Sequence, residues 1–111
     1  MDLMPKTKVA GHIFQQVRET PEVHKALVEE AARVGISQPE AIRQIISAYL
    51  SDPFQFTGKT GGNKSAVWAN ISAPREMVEE FNRHTQDQGV SVAEGIRQCV
   101  RRFLEKKGRA V

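Results

Sequence analysis

The side chains in this sequence that are best suited to act as nucleophiles or metal ligands are one cysteine and three histidines. Cys99 lies on an apolar stripe with helical spacing, which favours a small core residue over a nucleophile. His12, His24 and His84 show no metal-ligand spacing and have no cysteine beside them, which favours surface positions. A single cysteine cannot form an internal disulfide, so nothing indicates an oxidising compartment. The sequence therefore predicts no metal site.

Two other patterns resemble catalytic motifs, but their context argues against catalysis. Gly58-Lys59-Thr60 lacks the glycine that a phosphate-binding loop needs five residues before Gly58, because Pro53 stands there. The acidic pairs Glu29-Glu30 and Glu79-Glu80 are most simply solvated helix faces. Since no set of nucleophile, base and ligands emerges, we expect no enzymatic activity and no cofactor.

The charge is distributed unequally between the halves of the chain. Residues 1–55 carry six Lys/Arg against seven Asp/Glu, whereas residues 56–111 carry ten against six. A basic half of this kind favours a polyanionic partner. The chain has 111 residues, the length of one compact domain. No apolar run approaches the ~20 residues of a membrane span, and the N-terminus has no signal-peptide core. We therefore expect a cytoplasmic protein without a membrane partner.

The sequence repeats one unit. A shift of 54 residues aligns residues 12–50 with residues 66–104 without a gap, and eight aligned pairs are identical. The identical pairs are Glu22/Glu76, Gly35/Gly89, Ser37/Ser91, Glu40/Glu94, Ile42/Ile96, Arg43/Arg97, Gln44/Gln98 and Leu50/Leu104.

Each copy is predicted to form a strand and two helices. In the first copy, Ile13, Gln15 and Val17 alternate with three residues of the opposite face, which is typical of a short strand with one buried face. The same boundary signals follow in both copies: Thr20-Pro21 and Ala73-Pro74 before the first helix, Gly35 and Gly89 after it, and the capping boxes Ser37-x-x-Glu40 and Ser91-x-x-Glu94.

One such unit is too small to bury its own faces, so the two copies are expected to share one core. The predicted fold is mainly α with a two-stranded antiparallel β-ribbon, a β-α-α-β-α-α pseudo-dimer within one chain. The predicted segments are a flexible arm (1–11), the first copy (12–52), a flexible linker whose start Phe54 and Phe56 pin to the core (53–65), the second copy (66–106) and a basic tail (107–111).

These units resemble the ribbon-helix-helix DNA-binding proteins, the Arc and MetJ repressor fold. The second copy carries the closer likeness, in its alternating strand, Ser72-Ala73-Pro74-Arg75-Glu76, and the segment from Gly89 to Ile96. The resemblance covers about residues 12–52 and 66–106. The tandem arrangement is similar to the fused bacterial proteins of conjugative plasmids, which bind near transfer origins and promoters.

The resemblance implies base contacts from the outer face of the ribbon in the DNA major groove. Gln16 and Asn70 could bond adenine and Arg18 guanine. With the strands centred near Gln16 and Asn70, Trp68 lies beside Arg18, and we expect a cation–π contact between them. The full set of implied base-contacting residues is Phe14, Gln16, Arg18, Trp68, Asn70 and Ser72.

The resemblance also implies phosphate anchoring by backbone N–H groups where the second helix of each copy begins. Those positions are Ser37, Gln38, Ser91 and Val92. Candidate further phosphate contacts are Lys6, Lys8, Arg101, Arg102, Lys106 and Lys107. A frayed helix end is the favoured interpretation of the last four, and plain disorder is that of the segment with Lys6 and Lys8.

The expected partner is double-stranded DNA, bound as a sequence-specific repressor or as an accessory factor of plasmid transfer. We expect a monomer in solution, with several chains on one DNA site, and a domain-swapped dimer remains open. The alternative function is a protein-interaction module, either an antitoxin or an adaptor of the transfer apparatus.

Overall fold

The computed structural model describes residues 2–4, 12–14 and 16–109. This part of the chain contains two β-β-α-α units, which confirms a mainly helical fold with a two-stranded antiparallel ribbon in one chain. The elements are β1 (His12–Ile13), β2 (Val17–Glu19), α1 (Pro21–Arg33), α2 (Gln38–Ser51), β3 (Ala66–Trp68), β4 (Ser72–Ala73), α3 (Arg75–Asp87) and α4 (Val92–Lys106). No helix in the described ranges is long and apolar enough to cross a membrane.

The serine caps and glycine stops lie where the sequence predicts them. The Ser37 and Ser91 side chains accept hydrogen bonds from the backbone N–H groups of Glu40 (3.3 Å) and Glu94 (3.0 Å). Gly35 and Gly89 follow the first helix of each unit with φ of 72° and 69°, a region that glycine adopts without steric cost. The local sequence therefore sets the helix boundaries.

The ribbon consists of two short ladders in one antiparallel register. Ile13 pairs with Ser72 in the first ladder, and Val17 pairs with Trp68 in the second. Three residues separate the ladders on each strand, at 14–16 and 69–71, so the register continues across the interruption. The backbone N–H of Phe14 donates to the carbonyl of Ile71 within it (2.8 Å).

This register is one residue away from the predicted one. It sets Gln16 opposite Ala69 rather than Asn70. Side chains alternate across a strand, so a shift of one residue moves every partner to the other face. If the ribbon were regular with the observed register, each residue of the first strand and its equivalent in the second copy would lie on opposite faces of the ribbon. The interruption is where each strand changes the face that it buries.

Burial along the strands follows that change of face. Phe14 and Val17, three residues apart, are both buried, and their equivalents Trp68 and Ile71 are buried in the same way. Between the latter two, Asn70 has a φ of 59°, in the left-handed region that asparagine tolerates better than most residues. The predicted period-two alternation therefore holds only within each half of a strand.

Equivalent residues of the two copies also form the core. Leu27 and Phe81 occupy the same position in α1 and α3, and both are fully buried. α2 packs against α4. The fully buried hydrophobic residues of these two helices are Ala41, Ile42, Ile46, Ile96, Val100 and Leu104. One shared core explains why the two copies require each other.

The segment between the copies is attached to the core at its start, as predicted for Phe54 and Phe56. Phe56 is buried and its ring stacks on Tyr49, with centroids 5.0 Å apart. Phe54 is partly buried and meets Tyr49 edge-on at 5.1 Å. Burial raises the pKa of the Tyr49 hydroxyl, which lies 3.2 Å from Nδ1 of His84.

Candidate nucleic-acid interface

Four of the six expected base-contacting residues lie outward on the ribbon. Gln16, Arg18 and Asn70 are exposed, and Ser72 is partly buried. Gln16 and its equivalent Asn70 lie within the interruption, whereas Arg18 lies in β2 and its equivalent Ser72 lies in β4. Their amide, guanidinium and hydroxyl groups can donate hydrogen bonds, and the amides and the hydroxyl can also accept them, as contacts to base edges require.

The other two residues, Phe14 and Trp68, belong to the core, so their expected outward position is wrong. They are 4% and 2% exposed. The ring of Phe14 meets Phe81 edge-on with centroids 6.0 Å apart, and Trp68 stacks on His24 at 5.8 Å. The physical reason is the change of face within each strand, which turns these aromatic rings inward while Gln16 and Asn70 stay outside.

The expected cation–π contact between Trp68 and Arg18 is also wrong. Trp68 pairs with Val17 in β2, and both side chains are buried. Arg18 pairs with Val67 and is exposed on the opposite face. Trp68 therefore stabilises the ribbon from below and does not orient Arg18.

The expected phosphate-anchoring residues lie at the beginnings of α2 and α4. Ser37 and Ser91 are the exposed N-caps, followed by Gln38 and Val92. The two ends differ because α2 has Pro39 in its first turn, and proline has no N–H to donate. The first turn of α4 contains no proline, so each of its residues has a backbone N–H.

Arg97 joins the ribbon to the beginning of α4. Its Nη1 donates to the backbone carbonyl of Arg18 (3.0 Å), and its Nη2 lies 3.1 Å from the Glu94 carboxylate. The outward residue Arg18 and the N-terminus of α4 are thereby held in a fixed relation. Arg97 is one of the identical residues of the repeat, but the repeat does not indicate this role.

Glu94 is the centre of this network. Burial by itself would raise the pKa of its carboxyl group, but hydrogen bonds from Gln98, Thr60 and Arg97 outweigh burial and hold the pKa below its usual range. The carboxylate accepts from the backbone N–H of Thr60 (3.0 Å) and from its hydroxyl (3.1 Å). The linker residue Thr60 is therefore fixed at the first turn of α4.

A glutamine one turn further along each second helix binds an extended segment of backbone. The Gln98 amide accepts from the N–H of Thr57 (2.8 Å) and donates to its carbonyl (3.0 Å). The equivalent Gln44 makes the same pair of bonds with the backbone of Met4, at 2.6 and 2.8 Å. The glutamine of the repeated sequence Glu-x-x-Arg-Gln therefore binds the segment that precedes each ribbon strand.

The residues that are expected to make further phosphate contacts lie in different environments. Arg102 is exposed with its guanidinium 4.4 Å from the ring centroid of Phe54, and Lys107 binds Asp2. Lys106 is the last residue of α4, on the order of 20 Å along the axis from its N-terminus at 1.5 Å per residue. Lys6 and Lys8 lie outside the described residues.

Arg101 forms a structural ion pair with Glu19. Its Nη2 and Nε lie 2.5 and 3.1 Å from the two carboxylate oxygens of Glu19, which is fully buried at the end of β2. The same Nη2 donates to the carbonyl of Gly61 (3.2 Å). The hydrogen bond with Glu19 raises the pKa of the Arg101 guanidinium. Its charge is therefore balanced within the protein.

Comparison with known proteins gives one family match. Residues 70–107 match the family described as ribbon-helix-helix protein, copG family. This segment is a ribbon-helix-helix domain. It runs from the outward Asn70 through β4, α3 and α4, and the first unit has the same order of elements, which is consistent with two ribbon-helix-helix units in tandem. The match covers 38 of the 111 residues. No curated protein and no solved structure matches the chain.

Proposed function

We propose that this protein is a single-chain, sequence-specific DNA-binding regulator that inserts its ribbon into the major groove. The observation that carries the proposal is the ribbon itself: the strands of both copies pair in one register, with one face buried and polar residues outside. A two-stranded ribbon has the width that the major groove of B-DNA admits. The ribbon-helix-helix match at residues 70–107 supports the same function.

Base contacts are assigned to Gln16, Arg18, Asn70 and Ser72. The amides of Gln16 and Asn70 suit the N6 and N7 edge of adenine, and Arg18 suits the O6 and N7 acceptors of guanine. Ser37, Gln38, Ser91 and Val92 anchor the flanking phosphates through the helix N-termini, with the α4 end dominant. These contacts fix the orientation of the protein on the duplex, and the outward side chains supply the sequence preference.

The two copies present different residues to DNA, so the preferred site is asymmetric. One strand presents Gln16 and Arg18, and the other presents Asn70 and Ser72. A symmetric dimer binds half-sites related by a two-fold axis, and this chain has no such identity between its halves. We propose that the protein binds as a monomer, several copies on repeated subsites, and represses transcription or assists plasmid transfer by occupying them.

The test is fluorescence anisotropy with duplexes from upstream of the protein's own gene and with a scrambled duplex, at two salt concentrations. Arg18→Ala is expected to lose about 1–3 kcal/mol of preference for the cognate duplex, the size of one bidentate base contact. Arg83→Ala, which removes the same charge from an exposed position of α3, is the matched control and should keep the preference.

Two outcomes would refute the proposal. Equal weakening of cognate and scrambled binding by Arg18→Ala would show that Arg18 contacts phosphate and not a base. Absence of binding by the wild-type protein at low salt would favour the interaction-module alternative. The molecular mass in solution, with and without DNA, separates a monomer from a domain-swapped dimer.

A further inference from the structure

The segment before the second ribbon strand is held by side chains of α4 and by Gln88, which follows α3. This segment, residues 56–60, is called the strap here. The N–H of Phe56 donates to the Gln88 side chain (2.7 Å), and the Gln98 amide donates to the carbonyl of Gly58 (3.0 Å) in addition to its bonds with Thr57. Thr60 then binds Glu94. A segment with the composition of a flexible linker is therefore fixed in position.

The strap presents one cationic side chain, Lys59. Its neighbours Gly58 and Thr60 are both hydrogen-bonded to α4, while Lys59 is exposed. No ion pair involves Lys59 among the residues that the structure describes. Lys64 differs, because its ammonium donates to the Thr60 carbonyl (2.6 Å) and closes the turn that follows the strap. Lys59 thus extends from a held backbone and has no ion-pair partner among the described residues.

The strap lies between the end of the ribbon and the beginning of α4. Thr60 binds the third residue of α4, and the next residue, Gly61, accepts a hydrogen bond from Arg101 beside the end of β2. A groove of about 330 Å³ between the strap and α4 is lined by Lys59, Arg101 and Arg102, with Glu105 as the opposing charge. Because Glu19 balances Arg101, the lining keeps two positive charges, on Lys59 and Arg102, against the one negative charge of Glu105.

We propose that Lys59 makes a DNA-backbone contact beside the ribbon, with Gln98 as the residue that positions it. This inference rests on the proposed function and extends it to a contact supplied by the segment between the copies. A duplex with the ribbon in its major groove continues past the end of β2, where the strap lies. Lys59 there meets a phosphate, and the fixed backbone lowers the entropic cost of ordering its side chain.

The experiment measures the affinity of wild type, Lys59→Ala and Lys59→Arg for cognate and scrambled duplexes between 50 and 200 mM salt. Each phosphate neutralised contributes about 0.9 to the slope of log affinity against log salt. Lys59→Ala is therefore expected to lose about 0.9 of slope on both duplexes, which reduces the affinity change over this range by about 3.5-fold. Lys59→Arg should restore the slope.

Arg83→Ala is the matched control, because it removes one exposed positive charge from α3. Its slope should equal that of the wild type. Gln98→Ala should weaken binding to DNA in the wild-type background and cause no additional loss in the Lys59→Ala background. A merely structural role of Gln98 would give the same loss in both.

The inference is overturned if Lys59→Ala keeps the wild-type slope while the wild type still prefers its cognate duplex. In that case the proposed function stands and Lys59 has no part in it. If the wild type binds neither duplex at low salt, the proposed function itself fails.

Discussion

The ion pair between Arg101 and Glu19 is buried, and we expect the loss of Arg101 to lower the free energy of unfolding strongly. Glu19 has a side chain that is 0% exposed, whereas Arg101 is 18% exposed. Arg101→Ala removes both guanidinium bonds and leaves the carboxylate with one described hydrogen bond, from the N–H of Thr20 (2.8 Å). A buried charge that loses its partner cannot be hydrated, so its removal from water is no longer offset.

The expected cost of Arg101→Ala is about 3–5 kcal/mol, the range measured when one partner of a buried pair is removed. This is a large part of the ~5–15 kcal/mol that stabilises a typical domain. In a Glu19→Ala background no unpaired carboxylate remains, so Arg101→Ala should cost about 2–3 kcal/mol less there. Arg75→Ala is the matched control: it breaks a pair with Glu79 whose side chains are 71% and 55% exposed. It should cost less than about 1 kcal/mol.

The assay is urea unfolding followed by the fluorescence of Trp68, the single tryptophan. The four variants and the wild type form one double-mutant cycle and its surface control. Additive costs for Glu19→Ala and Arg101→Ala would contradict the argument from burial. A loss below about 1 kcal/mol for Arg101→Ala would do the same, since it would match an exposed pair.

Three further predictions concern single residues. Trp68→Ala should lower the free energy of unfolding by about 3–5 kcal/mol, as for other buried aromatic truncations; Trp68→Phe should fold and keep the base preference of the wild type, and a changed preference would restore an outward role. Gly95→Ala should destabilise by about 1–3 kcal/mol despite the better helix propensity of alanine, because its Cβ would lie 2.7 Å from Cγ2 of Thr85; a gain in melting temperature would contradict this. Hydrogen bonds lower the pKa of Glu94, so the stability that the ionised carboxylate contributes is present above pH ~4.3 and is lost as the pH falls through the folded pKa. Between pH 5 and 3, Glu94→Gln should therefore lose less stability than the wild type. The exposed control Glu79→Gln should follow the wild type.

The sequence by itself determined the elements and the repeat, because those depend on local chemistry. Proline at helix starts, serine caps and glycine stops act over three or four residues, and the structure places them where the sequence does. The requirement that two small units share one core followed from size alone. Arg97 and Gln98 were visible as identical residues of the repeat, but the groups that they bind could not be predicted from the repeat.

Tertiary structure decided which residues of the ribbon face outward. Period-two alternation assigns Phe14, Gln16 and Arg18 to one face, yet Phe14 is buried and the other two are exposed. A shift of register would move all three residues together, so the register alone does not separate Phe14 from Gln16. The two differ because each strand changes its buried face at the interruption between the two ladders. Local alternation cannot specify where that change occurs.

The path of the segment between the copies was decided in the same way. Its glycine, threonine and lysine content is typical of a flexible linker. In the fold it lies against α4, where Glu94 and Gln98 offer buried polar groups that require partners. Composition describes the freedom of an isolated segment, whereas the hydrogen bonds that hold it come from residues about 40 positions later in the chain.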